Sequence, residues 1–181
     1  MAAAQSRVTD MTRGDPVRLL LNFSAPLFLS NLLQQFYNLA DTALAGHILG
    51  DAALAEIGAT AALYGLIMNF AFGMNNGLAL TVSRAFGAGD EKGVRRATAW
   101  MLTLAGITAL VLTVVFVGVR RPLLVLLQVP QASMDGALAY LTLILLGIPL
   151  TMAYNMEAAL LRAIGNSLTP LYFLLCSTVL N

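Results

Sequence analysis

The sequence predicts an all-α integral membrane protein, and three observations support that class. Of its 181 residues, 59% are apolar or aromatic and only 10% are charged. The mean hydropathy is +0.79, and long apolar runs alternate with short polar stretches. Soluble domains average about 45–50% apolar and about 25% charged residues. The composition therefore argues against a water-soluble globular enzyme and excludes a disordered chain.

The first three apolar runs are each long enough to cross a hydrocarbon core of about 30 Å. The first covers residues 19–46, which is about 42 Å of helix, and contains Pro26, which removes one helical hydrogen bond. The second covers residues 57–83 and carries four glycines, small residues that let membrane helices approach closely. The third covers residues 97–119 and follows a polar, glycine-containing connection. These runs predict three transmembrane helices.

Two further apolar runs follow a proline-containing connection over residues 120–133. The fourth covers residues 134–161, and Gly147 and Pro149 within it predict a broken helix that frees carbonyl groups to line a cavity. The fifth begins near residue 168 and gives at most about 22 Å of helix before the sequence stops. Because this is shorter than the hydrocarbon core, we expect the sequence to be the N-terminal piece of a longer protein.

The charged residues and the cysteine count bear on membrane orientation, nucleic-acid binding, disulfides and metal sites. Eight Lys and Arg residues lie in the N-terminal segment and the loops after the second and fourth spans, and two, Arg120 and Arg121, follow the third span. Since cytoplasmic loops carry the excess of basic residues, we expect a multi-pass protein with a cytoplasmic N-terminus. The net charge of +1 gives no reason to invoke nucleic acid. The single cysteine cannot form an internal disulfide, and the single histidine leaves no Cys/His metal cluster. No cofactor is expected.

Asp41 is the clearest ionisable residue within a predicted span, where a carboxylate is costly unless it is paired, protonated or hydrated. At 100° per residue, one face of this helix is polar over three turns. The residues that share the face with Asp41 are Ser30, Asn31, Gln34, Tyr37 and Asn38. Lipid cannot satisfy such a stripe. We favour a proton- or cation-binding acid in a cavity over the alternative, an acid near the helix end that simply reaches water.

The predicted fourth span adds further polar residues. They are Tyr140, Thr151, Tyr154, Asn155 and Glu157. For Asn155, a cavity role and a helix–helix hydrogen bond are equally supported. Glu157 lies about one turn from the end of the span and close to Arg162, so a surface acid is the simplest interpretation and no role is assigned to it.

Three segments resemble the multidrug and toxic compound extrusion (MATE) family of transporters. The opening segment is DMTRGDPVRLLLNFSAPLFLSNLLQQFYNLADTALAGHILGDAALAEIGAT. The segment GLALTVSRAFGAGD resembles the family's loop between the second and third spans. The segment YLTLILLGIPLTMAYNMEAALLRAIGNSLTPL resembles its fourth span and the following loop. The resemblance covers nearly the whole chain.

The resemblance implies a fold of twelve spans in two six-helix lobes, of which this sequence would supply part of the first lobe. It also implies a secondary antiporter that exports lipophilic or cationic drugs and toxic compounds in exchange for H⁺ or Na⁺. The expected location is the cytoplasmic membrane of a prokaryote. The expected partners are small amphiphilic or cationic substrates, the lipid bilayer and the second lobe, without nucleic acid.

Residue roles follow from the same resemblance. Asp41 falls on the position of the cation-coupling acid, and Tyr140, Asn155 and Asn181 look like its coupling partners. Na⁺ at Asp41 and Asn181 is one alternative and a proton on Asp41 is the other. The family's second acid, which follows the fifth-span asparagine, falls beyond the last residue of this sequence. The coupling ion therefore stays open at this point.

The resemblance also assigns a cavity wall and a hinge. Gln34 and Tyr37 fall where the family lines its first-lobe substrate cavity, and Asn38 shares their helix face. Pro26 falls in the first-span segment whose bending the family links to cation binding, so it is the expected hinge.

Two alternative functions remain. One is a flippase for lipid-linked oligosaccharides, which needs basic residues facing the cavity to hold pyrophosphate. All ten Lys and Arg residues fall in predicted loops or at helix ends, which argues against it. The other is a membrane assembly subunit without transport, in which the polar stripe of the first span would be a helix–helix interface.

Overall fold

The computed structural model describes residues 14–180, and the described part consists of helices joined by short turns. The helices are α1 (Pro16–Gly87), α2 (Glu91–Leu126), α3 (Met134–Leu146), α4 (Ile148–Ala163) and α5 (Leu168–Leu180), with a short 3₁₀ turn at Gln131–Ser133. Within α1 and α5, the side chains of residues 41, 45, 48–56, 59, 179 and 180 lie outside the description. This architecture agrees with the predicted all-α class.

The predicted first and second spans both fall within α1. Leu27 and Ala79 would lie about 78 Å apart in a straight helix, yet both line one cavity. The helical segment α1 therefore folds back between them. We call residues 16–40 the first arm and residues 60–87 the second arm.

Short polar caps begin the two long helices. The Asp15 carboxylate accepts a hydrogen bond from the Val17 amide at 3.0 Å. At the start of α2, the Asp90 carboxylate accepts from the Gly93 amide at 2.9 Å. Such caps satisfy backbone N–H groups that have no partner within the helix. The turn before α2 contains Gly89 with φ +69°, a conformation that glycine adopts without steric cost.

The chain between α2 and α3 returns to the core. The helix α2 continues to Leu126, past the predicted end of the third span at residue 119. Leu124 is fully buried and Val129 is nearly so. The apolar residues of this connection therefore pack on the bundle.

The predicted break in the fourth span is present. The helices α3 and α4 meet at Gly147 with a bend of 41°. A side chain at Gly147 would meet the Ile144 carbonyl oxygen at 3.2 Å. Beyond the break, the Thr151 hydroxyl donates to the Gly147 carbonyl oxygen at 3.2 Å. The bend turns α4 toward the first arm.

The apolar core lies among the second arm, α2, α3 and α4, in two clusters. Their largest fully buried side chains are Ile67, Val82, Met101, Leu124, Leu141, Leu145, Ile148 and Met152. No described side chain of the first arm is buried. The first arm is thus attached to a core that the rest of the chain forms.

Two helices in the described part are long and apolar enough to cross a membrane, Pro16–Leu44 and Glu91–Leu126. The bent pair Gln131–Leu146 and Ile148–Ala163 adds a third if it counts as one span. The predicted second span, residues 57–83, is not among them. The limits of the membrane spans stay predictions.

Candidate functional site: a polar cleft

A cavity of about 410 Å³ lies between the first arm, the second arm, α4 and the start of α5. Polar side chains from both arms of α1 and from α4 contribute to its wall. They are Ser30, Asn31, Gln34, Asn76, Ser83, Tyr154, Asn155 and Arg162. Apolar side chains, among them Phe23, Leu27, Phe72 and Leu80, complete the wall. The cavity therefore combines hydrogen-bonding groups with aromatic and aliphatic surface, as small-molecule sites usually do.

A second cavity of about 200 Å³ adjoins the first. Its wall contains Tyr37 of the first arm and Leu174, Ser177 and Thr178 of α5. Gln34 and Tyr154 line both cavities. We call the two cavities together the polar cleft.

The polar stripe of the first arm faces this cleft in large part. Gln34 and Tyr37, both predicted to line a cavity, lie in its wall, as does Asn155 of α4. Asn38 is exposed and is not among the lining residues. Tyr140 lies on α3, before the bend, and is 37% exposed; it is absent from both walls.

The two predicted ligands of a coupling ion cannot be placed. The side chain of Asp41 and the whole of Asn181 lie outside the described residues. The backbone at position 41 is helical and continues the first arm beyond Asn38. Asp41 is seven residues, about 10 Å along the helix, from Gln34.

Two asparagine amides of the cleft share one arrangement. Asn76 Nδ2 donates to the Phe72 carbonyl oxygen at 2.7 Å, and Asn155 Nδ2 donates to the Thr151 carbonyl oxygen at 2.9 Å. Each amide donor is thus engaged by the carbonyl one turn earlier in its own helix. The Asn155 amide oxygen remains available as an acceptor, a property suited to ligands that carry N–H groups or positive charge, whereas Asn76 Oδ1 lies 3.5 Å from Arg162 Nη2.

Pro26 lies in the first arm, close to the cleft. Proline has no N–H and cannot complete the helical hydrogen-bond pattern. The Ser30 hydroxyl donates to the Pro26 carbonyl oxygen at 2.8 Å. This side-chain bond to the carbonyl four residues earlier is of a type that often bends helices.

Arg162 lies in the wall of the cleft, which the sequence analysis did not predict. The guanidinium donates from Nη2 to Asn76 Oδ1 at 3.5 Å and lies 6.0 Å from the centroid of the Phe72 ring. The expectation that every Lys and Arg lies away from the cavity is therefore wrong at this position. The helix α4 extends to Ala163, two residues past the predicted span. Asn155 and Arg162 consequently share one helix face at the i, i+7 spacing, a signal that the sequence contains.

Acidic residues are absent from the described wall of the cleft. Glu157 is exposed and does not line it. Among the described residues, no group of three His, Cys, Asp or Glu side chains is placed to hold a metal ion.

Comparisons with known proteins agree on one family. The family model described as MatE matches residues 26–181. The Bacillus subtilis (strain 168) protein named "Probable multidrug resistance protein YpnP" is 31% identical over 95% of this chain and 39% of its own length. The protein named "Probable multidrug resistance protein YoeA" from the same strain is 29% identical over 88% of this chain and 34% of its own length.

The fold has solved relatives as well. A structure described as the outward-facing conformation of a multidrug resistance MATE family transporter matches with a TM-score of 0.87 at 23% identity. The match covers 95% of this chain and 39% of that one. The chain therefore spans about two fifths of the length of these two proteins.

Proposed function

The chain belongs to the MatE family, and from this premise we propose that it supplies part of the first lobe of a membrane transporter. The transporter exports lipophilic or cationic drugs and toxic compounds in exchange for H⁺ or Na⁺. The observation that carries the proposal is the polar cleft, which places the stripe of the first arm against α4 and α5. Its curated relatives are named multidrug resistance proteins.

The chemistry of the cleft is suited to amphiphilic compounds. Phe23 and Phe72 offer aromatic surface to the apolar body of a substrate, and aromatic faces also attract cations. The amide oxygen of Asn155 accepts hydrogen bonds from substrate N–H groups. These contacts do not require a substrate of one particular shape. They therefore favour a transporter that accepts many substrates over one that is specific for a single compound.

We assign the coupling role to Asp41. Proton or cation binding there would change the charge of the stripe that Gln34 and Tyr37 continue into the cleft. The first arm has no described buried side chain, and Pro26 interrupts its hydrogen bonds. These two features support movement of the first arm about Pro26. Either H⁺ on Asp41 or Na⁺ shared with Asn181 fits the proposal, with Asn155 and Tyr140 as further partners.

The direct test uses the complete transporter polypeptide in proteoliposomes, with ethidium as the transported cation. We expect Asp41→Asn to lower efflux driven by a proton or sodium gradient by roughly 5- to 150-fold, the usual range of coupling between sites. Asp135→Asn is the matched control, because Asp135 is an exposed acid on α3 outside the cleft. Wild-type efflux in Asp41→Asn under both gradients would show that another group carries the coupling.

A further inference from the structure

We propose that Arg162 makes one end of the polar cleft a binding site for the anionic group of an amphiphilic substrate. The proposal rests on the proposed transport function and names a substrate class for it. Compounds that carry a carboxylate or phosphonate beside an apolar body would bind there. The cleft would thus accept zwitterions as well as simple lipophilic cations.

The charge of Arg162 is not balanced by an acidic side chain in the described wall of the cleft. Its side chain is half-buried in the wall of the cleft. Among the lining residues that the structure describes, there is no aspartate or glutamate. Removing a charge from water without a partner of opposite charge costs free energy. A ligand anion would provide that partner.

The Arg162 guanidinium has hydrogen-bond donors to spare. Arginine carries five N–H donors in a planar fork that matches a carboxylate or phosphate with two parallel bonds. The single contact to Asn76 Oδ1 is long at 3.5 Å. An anion in the cleft would therefore find most donors of Arg162 available, because this long contact engages only one of its nitrogens.

Apolar side chains lie beside the charge of Arg162. The Phe72 ring lies 6.0 Å from the guanidinium carbon, and Phe23, Leu27 and Leu80 line the same cavity. A flat apolar group attached to the anion would contact these side chains. A small hydrophilic anion would leave this surface uncovered, so the site favours amphiphiles.

The two ends of the polar cleft differ in charge. Tyr154, at the junction with Gln34, lies about 12 Å along α4 from Arg162. The far end carries the hydroxyl groups of Ser177 and Thr178. A substrate of that length would place its anion at Arg162 and its cationic group among neutral oxygen atoms, on the side from which the first arm continues to Asp41.

The test compares two dyes that differ in one group. Rhodamine 110 carries a free carboxylate, and rhodamine 123 is its methyl ester. Their binding to the complete transporter in lipid nanodiscs is measured by fluorescence anisotropy without an ion gradient. We expect Arg162→Gln to raise the Kd of rhodamine 110 about tenfold or more, the loss typical of a charge-assisted hydrogen bond. The Kd of the ester should be unchanged or lower, because a nearby positive charge is removed.

Two further variants separate charge from geometry. Arg84→Gln is the matched control, since Arg84 is an exposed arginine in the last turn of α1 and does not line the cleft. Neither dye should respond to it. Arg162→Lys should give an intermediate Kd for rhodamine 110, because lysine keeps the charge but loses the planar fork.

The outcomes decide the proposal. Equal weakening of both dyes in Arg162→Gln would mean that Arg162 shapes the cleft or pairs with a protein acid, and no change in either dye would exclude it from the site. Both results overturn the proposal. If Arg162→Gln does not fold, the wild-type protein suffices, because octanoate should displace rhodamine 110 more strongly than octanamide does. Equal displacement overturns the proposal.

Failure of the proposed function would look different. If the transporter discriminates the two dyes through Arg162 but Asp41→Asn leaves gradient-driven efflux of rhodamine 123 intact, then the coupling assignment fails and the anion site stands. If efflux depends on Asp41 but Arg162 does not discriminate the two dyes, the coupling assignment stands and the anion site fails.

Discussion

Asn75 is fully buried at the contact between the second arm and α4. Its Nδ2 donates to the Met152 carbonyl oxygen at 3.5 Å, while its Oδ1 has no partner among the described residues. Polar contacts between membrane helices average only about 0.6 kcal/mol. A long bond beside an unsatisfied oxygen therefore contributes little to the free energy of unfolding.

We predict that Asn75→Leu changes the free energy of unfolding by less than about 1 kcal/mol, or raises it, because leucine has a similar size and removes the unsatisfied oxygen. By contrast, Ile67→Ala should lower it by about 2–5 kcal/mol, since Ile67 is buried in the core and alanine leaves a cavity. Unfolding in mixed micelles measures both. A loss in Asn75→Leu as large as that in Ile67→Ala would contradict the prediction.

Individual cleft residues were predictable to the extent that helix periodicity reports them. Gln34 and Tyr37 belong to the polar face that the 3.6-residue repeat identifies, and they lie in the cleft. Asn155, which the family resemblance singled out, also lies in the cleft. Arg162 was missed because the apolar run ends at residue 161, whereas the helix continues to Ala163. The apolar pattern identifies only the part of a helix that is buried in protein or lipid. It does not indicate that the helix continues through a polar last turn.

At the scale of the element, the turn between the second arm and α2 depends on one carboxylate. Asp90 caps α2 through the Gly93 amide. A Cβ atom at position 93 would lie 2.3 Å from Asp90 Oδ2 and 3.2 Å from the Ala85 Cβ. Asp90 would have to move away and would lose the cap.

We predict that the free energy of unfolding of Gly93→Ala is about 1 kcal/mol lower than that of Gly118→Ala, the usual contribution of an N-cap. Gly118→Ala on the same helix should be neutral or stabilising, because a Cβ there meets nothing within 4 Å and alanine is the better helix former. Thermal unfolding of the two variants measures the difference.

The double variant tests the stated cause. In an Asp90→Ala background the cap is already lost, so Gly93→Ala should have no further cost. An additive loss would show that Ala85, rather than the cap, sets the penalty.

The ends of elements were less predictable than their existence. The polar stretch of residues 84–96 suggested a loop, yet only residues 88–90 lie outside helices. Similarly, α2 continues through Arg120 and Arg121 to Leu126. Caps and buried side chains such as Leu124 extend a helix beyond its apolar run, and neither effect can be read from composition.

At the scale of the whole molecule, exposed side chains fall into two classes. Gln34 lies in a wall rich in polar groups, whereas Leu143 on α3 is 72% exposed among apolar neighbours. If the chain spans a membrane, the first class faces water and the second faces lipid. A helix–helix interface in an assembly subunit would instead keep Gln34 dry.

We predict that Gln34→Cys reacts with a membrane-impermeant maleimide from one side of the membrane and that Leu143→Cys does not react from either side. The exposed native Cys176 is first replaced by serine. Labelling of cells and of inverted vesicles measures access from each side. An unreactive Gln34→Cys would favour the assembly subunit over the transporter.

The first arm has no described buried side chain, and this has a consequence for how the chain is made. Tyr154, which shares the cleft with Gln34, leaves the ribosome about 6–24 s after Gln34 at 5–20 residues per second. Throughout that interval the amide and phenol groups of the first arm lack the helices that later enclose them. The first arm is therefore synthesised well before its packing is complete, and its polar groups depend on hydration or on the insertion machinery until α4 and α5 arrive.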